Sequence, residues 1–284
     1  MFRQCNKHCA ISTAHRRRDY TGRRTGFTLL ELLIALSIMV IIVSVLGGLA
    51  KAVQLSAEYG EGHTEATQHA RVIMERITRM VSQATANESF PGFIVVAETV
   101  ESWRFPDTLV VWHPEGSAAD PDGLPRYNEL VIYCVDPYSP NRLVEVTVPN
   151  DTRTVPPVTD EAAWVSAIES VRTSSWNQKV TLTELVRVCW VTEGSRSTRR
   201  GAVRFQTRLR PSAEQWVEYE DGTIDWSDLA WVQGIYGSQT GLRQAWLRME
   251  LQLMPGEVAM KNDPGGQQAI PFLGSAVLYY EMHR

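Results

Sequence analysis

The feature that most constrains this chain is a long apolar run close to its N-terminus. Residues 27–50 include a single charged side chain, Glu31. An α-helix rises about 1.5 Å per residue, so these 24 residues would extend over about 36 Å, enough to cross the hydrocarbon core of a bilayer. We therefore expect 27–50 to form one helix with an apolar surface, and the remaining residues to fold outside it.

Charge is distributed unevenly along the sequence. Residues 1–26 contain seven basic residues and one acidic residue, whereas the whole chain has a net charge of −4, so residues 27–284 carry about −10. Basic residues before an apolar helix keep that end in the cytosol, which predicts export of everything after residue 50. No nucleic-acid partner is expected, because such a surface needs clustered Lys and Arg. RSTRR at 196–200 is predicted to be a solvated hairpin tip.

Three interpretations of the N-terminal segment are open. A secretory signal would be cut after the small residues Gly48-Leu49-Ala50, before Lys51. A plain single-pass anchor leaves Glu31 unexplained. A carboxylate needs an explanation there because it costs about 2.5–3.5 kcal/mol near the centre of a membrane helix. Cleavage between Gly26 and Phe27 explains the glutamate, because the new amine at Phe27 of an adjacent subunit supplies the positive partner that a buried carboxylate needs.

The residues of this segment resemble a known signal. G-F-T-L-L-E at 26–31, followed by an uninterrupted apolar helix, is similar to the prepilin signal of type IV pilins and type II secretion pseudopilins. The resemblance implies cleavage by prepilin peptidase after Gly26, methylation of the new Phe27 amine, and a contact of Glu31 during filament assembly. It also implies partners: other major and minor pilins or pseudopilins and an inner-membrane assembly platform.

The resemblance implies a location and a domain order as well. The chain would cross the bacterial inner membrane once, with a cytoplasmic N-terminus and a periplasmic head, before it enters a pilus or pseudopilus. We expect four parts: a removed leader at 1–26, a membrane or filament-core helix at 27–50, an amphipathic helix at 51–88, and a β-rich head at 89–284.

The second half of the helix carries one apolar stripe. Its members follow steps of four and three residues, the spacing of one helix face: Ala66, Ala70, Ile73, Ile77, Met80 and Ala84. This stripe predicts packing of the helix against the head. The predicted fold class is α+β, a long N-terminal helix packed on an antiparallel sheet, as in pilins.

The head is predicted to consist mainly of short strands. Two hairpins are expected, one from 130–136 and 142–148, the other from 184–193 and 202–210 joined by GSRSTRRG. Further elements follow from short apolar or alternating runs: strands at 93–100, 108–112, 246–254 and 276–282, a short helix at 162–171, and loops at 113–128, 149–160, 211–239 and 255–270. This head resembles the larger minor pseudopilins of the J class and the W-class minor pilins, which implies a low-copy subunit near a filament tip.

Cysteines, acidic turns and aromatic residues are the remaining site candidates. Cys134 and Cys189 lie in strand-like runs; in an oxidising compartment they can pair, and buried free thiols are the alternative. An aromatic, acidic stretch has the composition of a partner surface or of a capped core edge; its aromatic residues are Trp216, Tyr219, Trp226, Trp231 and Tyr236.

Neither a cofactor nor a catalytic site is expected. The turns at 120–123 (DPDG) and 262–263 (ND) offer oxygen atoms of the kind that calcium prefers, with an ordinary polar turn as the alternative. No catalytic motif is visible in the sequence, so an enzyme is not expected. The alternative to a filament subunit is a membrane-anchored or secreted periplasmic binding protein that does not assemble.

Overall fold

The computed structural model describes residues 26–100, 102–175, 177–193, 196–232, 241–255 and 269–282. Helix α1 extends from Leu29 to Ser82 and is 54 residues long. The chain divides into two units, one ending at Gln54 and the other beginning at Leu55. The first unit contains the apolar part of α1, and the second contains the rest of α1 and the head.

The first part of the head is a five-stranded antiparallel sheet. Its strands pair in chain order: β1 (Phe93–Val100), β2 (Trp103–Trp112), β3 (Leu130–Val135), β4 (Leu143–Thr147) and β5 (Gln178–Thr183). The predicted hairpin at 130–136 and 142–148 is confirmed, since Val131 pairs with Thr147 and Val135 with Leu143.

The predicted second hairpin is wrong in its partners. β6 (Val188–Glu193) pairs with β7 (Arg196–Gly201), so RSTRR belongs to a strand and is not a hairpin tip. β8 (Val203–Arg210) instead joins β9 (Leu242–Leu253) and β10 (Ile270–Glu281) in a sheet of order β10-β9-β8. The physical reason is the apolar face of β8, because Val203 lies opposite Leu251 and Phe205 opposite Met249.

Two short helices accompany the sheets. The helix predicted at 162–171 is confirmed as α2 (Glu161–Thr173), where the side chain of Asp160 accepts a hydrogen bond from the backbone N–H of Ala163. The loop predicted at 211–239 contains α3 (Ala213–Glu220), so that prediction is wrong over these residues. Ser212 and Gln215 form a capping box that starts α3.

The head has two apolar clusters, one on each face of the five-stranded sheet. In the first, α1 packs with the inward face of the three-stranded sheet, and its buried stripe is Gly62, Ala66, Ala70, Ile73, Ile77 and Val81. The first four members of the predicted stripe, Ala66 to Ile77, are confirmed as buried, whereas Met80 and Ala84 are only partly buried. In the second cluster, α2 covers the opposite face through Trp164 and Ile168, against Trp112 and Ile132.

Candidate processing and assembly segment

The first turn of α1 is held by a reciprocal pair of side chains. The backbone N–H and the hydroxyl of Thr28 both donate to Oε2 of Glu31, at 3.0 and 3.1 Å. In return the Thr28 hydroxyl accepts a hydrogen bond from the N–H of Glu31, at 3.3 Å. This is a capping box, which satisfies donors that the first helical turn leaves free. Thr28 was not predicted as a site residue, although T-x-x-E at 28–31 is the sequence pattern of a capping box.

The helix that follows exposes its apolar side chains. All residues of α1 from Leu29 to Glu61 are exposed, and Phe27, just before the helix, is 86% exposed. By length and composition this helix is suited to cross a membrane. Monomeric soluble proteins rarely expose so large a continuous apolar surface, so this one fits contact with lipid or with other helices.

Arg76 and Glu145 form a link between α1 and the five-stranded sheet. The Nε and Nη2 of Arg76 donate to the two carboxylate oxygens of Glu145 on β4, both at 2.6 Å. The side chain of Glu145 is 9% exposed and that of Arg76 is 49% exposed. The hydrogen bond to Glu145 raises the pKa of Arg76, and burial raises the pKa of the neighbouring Tyr133 hydroxyl. The pair therefore fixes the second half of α1 to the sheet.

A cluster of two arginines and two acids lies inside the head. Arg200 on β7 donates to both carboxylate oxygens of Glu98 on β1, at 2.7 and 2.8 Å. Arg172 on α2 lies 3.5 Å from the same carboxylate and donates to the carbonyl of Val135 at 2.9 Å. Asp107 on β2 lies 3.8 Å from Arg200. The cluster thus joins three strands to a helix.

The two acids of this cluster have opposite pKa shifts. Hydrogen bonding to Arg200 lowers the pKa of Glu98, whereas burial raises the pKa of Asp107 despite the nearby arginines. All four charged side chains border a cavity of about 450 Å³ between α2, β1 and β7. Sequence analysis missed this cluster, because its members come from positions 98 to 200 and no local pattern connects them.

The two cysteines of the head are free thiols. Cys134 lies in β3 within the cluster covered by α2, and burial raises its pKa to about 12. Cys189 lies on β6 and is half-buried. Of the two alternatives, the structure therefore holds free thiols and not a disulfide.

The aromatic stretch is mainly a core edge. Trp231 is only 2% exposed and belongs to the main core, so its assignment to a partner surface is wrong. Trp216, Tyr219 and Trp226 are half-buried around it, with the rings of Trp226 and Trp231 4.5 Å apart. Tyr236 lies outside the described residues.

The turn at 120–123 is closed by the protein's own groups. The carboxylate of Asp120 accepts a hydrogen bond from the N–H of Gly123, and the Asn87 amide donates to the carbonyls of Pro121 and Gly123. Within the described residues, no group of three His, Cys, Asp or Glu side chains is placed to hold a metal ion. The second calcium candidate, at 262–263, lies outside them.

Comparison with known families gives one match, and it falls on this segment. A family model described as the prokaryotic N-terminal methylation motif matches residues 22–47. Neither a curated protein nor a solved structure matches the chain. The matched residues include the predicted cleavage site, the capping box at the start of α1 and most of the exposed apolar helix. Residues 22–47 therefore carry the N-terminal signature of the type IV pilins and pseudopilins.

Proposed function

We propose that this chain is a minor pilin or pseudopilin, a structural subunit of a type IV pilus or a type II secretion pseudopilus. Prepilin peptidase cuts it between Gly26 and Phe27 and methylates the new amine, and the chain assembles through its N-terminal helix. One observation carries this proposal: the methylation motif at 22–47 overlaps the apolar first part of α1, which begins at Leu29 and has no buried residue before Gly62.

Glu31 is the residue that turns this helix into an assembly element. Its carboxylate lies in the first helical turn, where the helix dipole favours an anion. The capping box leaves it with neutral donors, so inside lipid or a packed helix bundle the charge still needs a positive partner. The free amine of Phe27 on a neighbouring subunit has the required charge and belongs at the same end of the helix.

Location and class follow from the leader and the head. The basic leader keeps the N-terminus in the cytosol, so the head faces the periplasm and the subunit begins in the inner membrane. There it meets prepilin peptidase, other pilins or pseudopilins, and an assembly platform. The large β-rich head, with its β3–β4 hairpin and the long strand β9, supports the minor-subunit assignment by likeness to the J-class and W-class subunits.

The role that we propose is structural and not enzymatic. Within the cluster in the head, Glu98 forms ion pairs with Arg200 and Arg172: arginine keeps its charge at all ordinary pH values, and Glu98 is held ionised by Arg200. Such pairs hold elements together and do not exchange protons near neutral pH.

The first experiment is mass spectrometry of the N-terminus in membrane fractions. A chain that begins at methylated Phe27 is expected. A chain that begins at Lys51 would instead indicate a secreted protein, and a chain that retains Met1 beside an active prepilin peptidase would indicate a plain membrane anchor.

A second experiment separates the charge of Glu31 from its capping role. Glu31→Gln keeps a hydrogen-bonding side chain at the capping-box position and removes the charge. If the carboxylate pairs with an amine, Glu31→Gln and Glu31→Ala both block incorporation into filaments and leave membrane insertion intact. Ser44→Ala, another polar position of the same exposed helix, is the matched control. Normal assembly of Glu31→Gln would refute the charge pairing.

A further inference from the structure

The outer face of the three-stranded sheet concentrates positive charge. Along β8 and β9 apolar residues point inward, and four exposed arginines occupy outward positions. We call this set the arginine face: Arg204, Arg208, Arg210 and Arg248. Glu250, opposite Arg204, is the one acid at an outward position of these two strands, and it is half-buried. The alternation along β8 and the pairing of β8 with β9 thus bring these four arginines, which are separated in the sequence, onto one face of the sheet.

These arginines are not neutralised within the described part of the chain. No ion pair there includes any of the four, whereas Arg76, Arg172 and Arg200 all have carboxylate partners. Arg204 and Arg208 also line an open groove of about 980 Å³, together with Trp246, which lies opposite Arg208. A positive face is therefore left open on a head whose chain is acidic overall.

The same head carries a compact segment of opposite charge. Residues 211–232 contain neither Lys nor Arg. On α3 and the 3₁₀ turn Trp226–Asp228, or next to them, lie six exposed acids: Glu214, Glu218, Glu220, Asp221, Asp225 and Asp228. We call residues 213–228 the acidic segment. Among the described residues, no ion pair joins an acid of this segment to a basic side chain.

We propose that the arginine face of one copy binds the acidic segment of a second copy. Complementary charge supports this partner, because one surface offers four unpaired cations and the other offers six anions. The two surfaces are also of comparable length. Arg204 to Arg210 extend over about 20 Å of strand, and the acidic segment consists of a short helix and one further turn.

A protein surface fits the arginine face better than a nucleic acid does. A polyanion carries phosphates along its whole length and would extend beyond the four arginines onto an acidic head, where it is repelled. The acidic segment is compact, so it can contact the four arginines without extending onto the acidic remainder of the head.

The geometry of this contact has a consequence for copy number. The two surfaces differ, so each copy offers one of each kind, and repeated contacts generate a closed ring or an open row of heads. This contact goes beyond the proposed function: it uses only the heads, needs no cleavage at Gly26, and requires at least two adjacent copies.

The test compares charge-reversed variants of the full-length chain in a large excess of detergent micelles. The face variant is Arg204→Glu with Arg208→Glu, and the segment variant is Glu218→Arg with Asp221→Arg. Self-association is measured by sedimentation velocity. We expect each variant alone to associate at least tenfold more weakly than the wild type, because the attraction between its two surfaces is reduced: the arginine face falls from four positive charges to a net charge of about zero in the face variant, and the acidic segment falls from six negative charges to a net charge of about −2 in the segment variant. Association of the wild type should also weaken between about 50 and 500 mM salt.

Mixing provides the decisive result. The face variant keeps a normal acidic segment and the segment variant keeps a normal arginine face, so together they form one intact contact and stop at a dimer. The matched control, Arg71→Glu with Arg126→Glu, changes the charge equally at exposed arginines elsewhere that have no ion pair among the described residues, and it should behave as wild type.

Three outcomes would overturn the inference. The first is wild-type association of the face variant, and the second is a failure of the two variants to combine while both remain folded by circular dichroism. The third is a mobility shift of a single-stranded oligonucleotide that disappears with Arg204→Glu and Arg208→Glu while self-association stays normal. The mass of the N-terminus is measured separately, so failure here leaves the proposed function untouched.

Discussion

Removing Arg76 is expected to weaken the head far more than removing its neighbour one turn along α1. Arg76→Met leaves the carboxylate of Glu145 in a site where only 9% of its side chain reaches water. Arg76 donates two hydrogen bonds to this carboxylate, both at 2.6 Å. An uncompensated charge is therefore left between the helix and the sheet.

The expected loss can be estimated from the exposure of the two side chains. Breaking a fully buried ion pair from one side costs about 3–5 kcal/mol. The side chain of Arg76 is 49% exposed, so water replaces part of what it provides, and we expect about 2–3 kcal/mol for Arg76→Met. Glu145→Gln should cost less, about 1 kcal/mol, because the arginine left behind can turn to solvent.

The assay is urea unfolding of the full-length protein in detergent micelles, followed by tryptophan fluorescence. Arg79→Met is the matched control, since Arg79 pairs with Glu75 at 3.4 Å and both side chains are largely exposed. Its effect should stay within about 0.5 kcal/mol. The double variant Arg76→Met with Glu145→Gln should cost less than the sum of the two single changes.

Equal effects of Arg76→Met and Arg79→Met on the free energy of unfolding would refute this reasoning. They would mean that the buried carboxylate finds water or another donor without Arg76, and that apolar packing alone holds α1 to the sheet.

Three further predictions concern the head. The pKa of Asp107 is raised in the folded state, so the folded protein keeps this proton to a higher pH than the unfolded chain does. The stabilisation from this group is therefore fully present below its ordinary pKa of 3.8 and is lost as the pH rises from there through the raised pKa. Asp107→Asn should reduce that loss in urea titrations at several pH values, and a wild-type pH profile would contradict it. Alkylation of the folded protein at about pH 8 should label Cys189 and spare Cys134, whose thiol is buried with a pKa of about 12; peptide mass spectrometry reads this, and equal labelling would contradict it. Gly201→Ala should destabilise the head by about 1–3 kcal/mol, because a Cβ would lie 2.5 Å from the carbonyl oxygen of Pro140. Gly60→Ala, with nothing within 4 Å, should not lower the melting temperature, and an equal loss in both variants would contradict the clash.

Local patterns in the sequence predicted those elements whose stability is local. The apolar run and the stripe on α1 have the periodicity of a helix, and the β3–β4 hairpin has two apolar runs around a tight turn. α2 was predicted for the same reason. Residues 212–215 carry the S-x-x-Q pattern of a capping box, so α3 was also readable, although acidic and turn-forming residues around it favour a loop.

Pairings between distant elements were not predictable from local patterns. The partner of β8 depends on which apolar strand presents a matching face, and Phe205 finds Met249 more than forty residues later. The buried ion cluster depends on the folded positions of Glu98 and Arg200, 102 residues apart. Predicting the arginine face would require both the local alternation along β8 and the distant pairing of β8 with β9.

The alternation along β8 also protects the strand against misalignment during folding. Side chains of a strand point to opposite faces in turn, so a slip by one residue against β9 exchanges the two sets. Phe205 would then face water, while Arg204 and Arg208 would enter the apolar layer beneath α1, where an unpaired charge is costly. The outward arginines of β8 thus make every odd-numbered slip unfavourable, and charges that leave the face open to a partner also restrict the alignment of the strand.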